Sequence, residues 1–192
     1  MKSEVIKISK DQDNLNQILI ETQNVSESAS LNNKQLLRTR LIAEEFVGML
    51  KELSTDFVGE FWVERENLSF SYIAQININE AMDMQTKRRF IDVSTSKKNT
   101  TKGVMGKIRD VVENLLYPEN AMYTSNFVSY QLETAVLLND EWTLNRYKDV
   151  ARNDKEPWDE LEKSIIANLA DDVIVSVKGN KVEIVIKKSF DK

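Results

Sequence analysis

Between Lys87 and Arg109 the chain places eight basic residues against one acid, Asp92; this net +7 leaves −12 for the rest of a chain whose total is −5. Such segregation focuses anions, because a few cationic side chains converging on one phosphate make charge-assisted hydrogen bonds. Within the segment, TTKGVMGK runs into the helical pattern Ile108, Val111, Val112, Leu115. A helix N-terminus offers unpaired N–H groups and a positive dipole end, and Gly103 and Gly106 would let backbone approach an anion closely, flanked by Lys102 and Lys107. The competing reading is a solvated loop that serves solubility or contacts a partner.

A second candidate is the acidic pair Glu44 and Glu45 in RLIAEEFVGMLKEL. Glu45 lies beside apolar positions of its helix, where burial would raise its pKa and make it a usable base. The plainer alternative is a half-buried glutamate paired with a nearby lysine or arginine. The rest of the catalytic repertoire is narrow, since there is no histidine and no cysteine. That removes the Ser-His-Asp triad, thiolate nucleophiles, disulfides and the usual zinc ligands. Trp62 and Trp158 read as packing residues of a strand and a helix rather than as a base-stacking platform, and the methionines Met82, Met84, Met105 and Met122 read as core filling.

The elements that must position these groups follow from periodicity. Val5, Ile6 and Ile8 form a short, lysine-flanked strand suited to a sheet edge. Leu15, Ile18, Leu19 and Thr22 recur at helical spacing from Asp13 to about Ser28. Asn32 or Asn33 caps a second helix reaching about Leu53, with Leu36, Leu37, Leu41, Phe46, Val47 and Leu50 as its expected core face. FVGEFWVERENLSFSYIAQINI alternates on either side of Glu66 and Asn67 as a hairpin, and DVIVSVKGNKVEIVIKKSF alternates around Gly179-Asn180 as another. A helix follows Gly103 and ends at Tyr117-Pro118. FVSYQLETAVLL and EWTLNRYKDVA read as inserted helices at about 117–157, and Pro157 opens a further helix with Trp158, Leu161, Ile165 and Leu169 buried. The expectation is one α+β domain over residues 1–192. It is a two-layer α/β sandwich with a mostly antiparallel or mixed sheet, helices on one face and an inserted helical segment.

This order resembles the GHKL superfamily of ATP-binding domains (the histidine kinase-like ATPase fold), and in its first half the anti-sigma-factor serine kinase branch. The resemblance covers roughly residues 1–116 and 173–188, and rests on RLIAEEFVGMLKEL, SYIAQINI and TKGVMGKIRDVVENLL. It implies Glu45, or Glu44 in the other register, as the residue that activates water or a substrate hydroxyl. It implies Lys102, Gly103, Gly106 and Lys107 as the end of an ATP lid, hence ATP or ADP as ligand. Four residues on, where the family has a magnesium-binding asparagine, stands Met49 or Gly48, neither of which offers the hard oxygen Mg²⁺ takes. After SYIAQINI, where the family has Asp-x-Gly-x-Gly, the chain continues NEAMDM, without a glycine and with Asp83 arriving late.

The resemblance therefore implies a degenerate nucleotide-binding or regulatory protein acting through a protein partner. Two alternatives stand beside it: an active anti-sigma-type serine/threonine kinase or ATPase using Glu45, and an oligomeric interaction protein without a small ligand. The opening MKSEVIKISKDQDN lacks the apolar run of a signal peptide and no stretch is apolar enough to span a bilayer, so a cytoplasmic protein is expected. The acidic net charge argues against a nucleic-acid partner.

Overall fold

The computed structural model describes residues 1–53, 56–78, 141–152, 164–178 and 180–191. Strand β1 (Ile6–Ser9) is followed by helix α1 (Leu15–Glu27), helix α2 (Asn33–Glu52) and the hairpin β2 (Phe57–Glu66) and β3 (Ser69–Ile78). After residues outside this description come β4 (Glu141–Thr143), α3 (Leu144–Ala151), the short α4 (Ile165–Leu169) and the closing hairpin β5 (Asp172–Lys178) and β6 (Lys181–Ser189). The described strands form one open sheet of six in the order β1-β2-β3-β6-β5-β4, and every pairing among them is antiparallel. The fold is α+β, with β1 at one edge as the sequence predicts.

Alternation along each strand sends one set of side chains to the helices. The register aligns Ile6, Phe61, Ala74, Ile184, Val175 and Trp142 in a single row across all six strands. All of them are buried. The helices close over this face: Phe46 of α2 meets Phe61 edge-on with ring centroids 5.6 Å apart, and Tyr147 of α3 lies 5.9 Å from Trp142. Such pairs add roughly 0.5–1.5 kcal/mol beyond the area they bury.

α2 begins as expected. Asn32 accepts from the Gln35 N–H while the Gln35 side chain accepts from the Asn32 N–H, a reciprocal capping box. Its buried face is rotated from the one expected, however. Ile42, Ala43, Phe46, Val47, Met49 and Leu50 are buried, whereas Leu37 is 57% exposed. The polar Thr39 occupies the inward position instead, 1% exposed, because it belongs to a hydroxyl seam between the helices and the sheet.

Two further expectations are corrected. Glu141–Thr143, read as helical within the insertion, is a strand on the β5 edge, and only Leu144–Ala151 is helical. Trp142 and Thr143 suit a strand, and the open edge of β5 supplies partners that no local pattern could reveal. A helix running unbroken from Pro157 to Leu169 is also excluded. Ser164 has extended backbone and accepts from the Ala167 N–H as an N-cap, so the helix that holds Leu169 starts there. This start buries Ile166 and Ala167 and leaves Ile165, expected on the buried face, 48% exposed. Trp158 and Leu161 lie outside the described residues, as do the helix after Gly103 and the remainder of the insertion.

Candidate functional site

α2 carries the described part of the candidate site. Its Asn32 cap and twenty-residue length hold Glu44 and Glu45 three turns in, where the helix passes from the hydroxyl seam to the Phe46–Phe61 contact. Glu45 is partly buried, beside the fully buried Phe46, and takes part in a polar interaction of its own. Glu44 is tied within the helix: its Oε1 accepts from Arg40 Nε at 2.9 Å, one turn earlier. That is an i,i+4 ion pair at the surface, worth about 0.3–0.5 kcal/mol and no more than a local support for the helix.

The residues four positions on differ sharply. Met49 is 2% exposed and part of the core, so whatever stands there points into packed side chains. Gly48 is exposed, and a Cβ added to it would meet no atom within 4 Å. Among the described residues no group of three or more Asp or Glu side chains is placed to hold a metal ion. Lys102, Gly103, Gly106 and Lys107, the proposed anion-binding half, lie outside the described residues, as does Asp83.

Next to Glu45's helix the structure brings together groups that periodicity alone did not single out. Ser26 Oγ of α1 sits 2.6 Å from the Thr22 carbonyl and 3.1 Å from Thr39 Oγ1 of α2, and Thr39 Oγ1 donates to the Leu36 carbonyl at 2.7 Å. From the sheet, the Tyr72 hydroxyl donates to the Thr39 carbonyl at 3.2 Å. Burial pushes the Tyr72 phenol far above the usual tyrosine range, since ionisation there would strand a charge in the core. These hydroxyls fix α1, α2 and β3 against one another; they bond to backbone and to each other, which leaves them little for an outside ligand. One signal was present in the sequence, and for α1 alone: Thr22, whose carbonyl Ser26 bonds, falls at a core position of an otherwise apolar helical pattern.

At the C-terminal end of α2, Lys51 Nζ donates to Asp13 Oδ1 at 2.9 Å, and this bond holds the Asp13 carboxyl below its ordinary range. On the opposite face of the sheet Trp62 is no stacking platform. Its indole N–H donates to Glu64 at 2.8 Å and Lys2 lies 4.2 Å above its ring, so both the polar edge and the outer π-face are occupied.

No helix among the described residues is long and apolar enough to cross a membrane. Comparison with protein-family models, curated proteins and solved structures finds no match.

Proposed function

We propose that the chain is a degenerate GHKL-like scaffold that binds a nucleotide and regulates a protein partner rather than turning substrate over. The observation that carries this reading is the order of elements. β1, α1, α2, the β2–β3 hairpin and the closing β5–β6 hairpin succeed one another in the order the resemblance implies, in an α+β sheet with α2 and its Glu45 on the covered face. Met49 in the core puts an apolar thioether where the family would carry its magnesium ligand, which favours binding without metal-dependent hydrolysis.

The test is thermal unfolding of the purified chain with ADP and with ATP, each with and without Mg²⁺. A ligand that binds only the folded state at about a hundred times its Kd adds roughly 2.7 kcal/mol, which at about 2–4 °C per kcal/mol is a rise of several degrees. The rise is expected with either nucleotide, to be independent of Mg²⁺, and to disappear in Lys102→Ala. No rise with any nucleotide removes the nucleotide from the proposal, and steady hydrolysis abolished in Glu45→Gln replaces it with the kinase or ATPase reading.

A further inference from the structure

β1 is an edge of the described sheet, and an edge strand ordinarily presents a row of N–H and C=O groups onto which another strand adds. In an antiparallel pair both backbone groups of alternate residues turn toward the partner strand, and those of the residues between turn away. The register sets Ile6 opposite Phe61, Lys7 opposite Glu60, Ile8 opposite Gly59 and Ser9 opposite Val58. Lys7 and Ser9 are the outward members, because their carbonyls are met from outside the sheet: Lys7's accepts from Asn14 Nδ2, and Ser9's from the Gln12 N–H at 3.3 Å. Asn14 is itself buried where α1 begins, so its amide is held in place beside the edge.

Upstream the edge is bent. Lys2 pairs with Glu64 and Ile6 with Phe61, so Ser3, Glu4 and Val5 face only Trp62 and Val63. The extra residue makes a β-bulge, which interrupts the ladder and turns the strand. Ser3 stays in register, its N–H donating to the Val63 carbonyl at 2.9 Å, while the Glu4 N–H turns away and donates to Glu21 Oε2 of α1 at 3.1 Å. Asn24, one turn on, donates to the other oxygen of Glu21 at 3.3 Å and steadies that carboxylate. Outward groups of three successive stretches of this edge are thus met by Glu21, Asn14 and Gln12, none of which belongs to a strand.

We infer that residues 12–21 are a latch that seals the β1 edge against strand addition, and that the strand it keeps out is β1 of a second copy. Antiparallel self-pairing centred on Ile8 would set Lys7 of each copy opposite Ser9 of the other, so the outward residues would exchange N–H···O=C bonds without bringing two lysines face to face. That pairing needs the Lys7 and Ser9 carbonyls, and both are occupied by the latch.

Sedimentation velocity of the full chain, wild type against Asn14→Ala/Glu21→Ala, tests the inference. The double variant is expected to self-associate roughly tenfold more tightly or better, as freed backbone groups find partners in a second copy. Adding Lys7→Pro removes the outward N–H on which that pairing depends and is expected to return association to the wild-type level. The β1–β2 ladder survives this change, since the Lys7 N–H faces away from β2. Amide exchange in Glu21→Ala alone, a replacement at a partly exposed helix position, reads the latch apart from any folding defect. There the Glu4 amide is expected to exchange roughly tenfold faster or more, while the Ser3 amide, bonded to Val63, keeps its wild-type rate. Equal association of the double variant and the wild type overturns the inference, as does association that survives Lys7→Pro or a Glu4 amide that exchanges as in the wild type.

Discussion

Replacing glycine with alanine should have opposite consequences at Gly59 and at Gly48, and the structure sets both signs. A Cβ on Gly59 would lie 2.3 Å from the Gln75 carbonyl oxygen and 2.9 Å from both Cα and Cγ2 of Ile76. Two of these are backbone atoms of β3, which pairs with β2 along ten residues and with β6 on its other side, so neither can turn away as a side-chain tip would. The strands must separate locally, and overpacking of this kind costs about 1–3 kcal/mol or more. Against it stands a gain of roughly 0.5–1 kcal/mol from removing glycine's freedom in the unfolded chain. The net for Gly59→Ala is a loss of about 2 kcal/mol, or about 4–8 °C in Tm for a chain of this length. Gly48 lies inside α2, exposed, with nothing within 4 Å of the added atom. There only the gain remains, about 1 kcal/mol of added stability from helix propensity. Urea titration followed by far-ultraviolet circular dichroism, with equal slopes for the two variants, measures both. The reasoning fails if Gly59→Ala is neutral or stabilising, or if Gly48→Ala lowers stability, for then the strand spacing or the course of α2 is wrong.

Asn32→Ala removes the acceptor half of the capping box and should cost about 1 kcal/mol, a shift of about 2–4 °C read by the same titration; Asn32→Ser should recover most of it. Tyr72→Phe should cost about 1 kcal/mol at neutral pH through loss of the bond to the Thr39 carbonyl. It should also alter the alkaline limb. Because the folded-state pKa of Tyr72 is raised, the neutral phenol's contribution is fully present below the unfolded value near pH ~10 and is lost as pH rises above it. The wild type should therefore lose stability above that pH more steeply than Tyr72→Phe, and parallel curves would show that the phenol is not buried.

Local pattern was enough for the elements whose partners are near in the chain. The Asn32 cap, the length of α2, the Asn67 turn with its φ of 55° and the ten- and seven-residue arms of the hairpins all follow from side-chain chemistry acting within a few residues. Strand alternation likewise told which residues share a face. What it did not tell was which face of α2 is buried. Leu37 is as apolar as Leu50, and only the position of α1 and Tyr72 puts Thr39 inward and leaves Leu37 in solvent.

The edge strand Glu141–Thr143 was hidden for the same reason, since three residues have no period and become a strand only because β5 presents an unpaired edge. Ser164 reads locally as one more polar helix residue, and becomes a cap once its backbone is extended. At the candidate site, the sequence by itself determined that Glu45 sits on a helix near apolar neighbours and that no histidine or cysteine can assist it. The Arg40–Glu44 pair is likewise local, one turn of a single helix, whereas tertiary structure decided that Met49 belongs to the core and that Lys7 and Glu141 share one row at opposite edges of the sheet. The division is physical: caps, turns and alternation are set by interactions over a few residues, whereas burial, register and the alignment of rows across strands exist only after distant segments have paired.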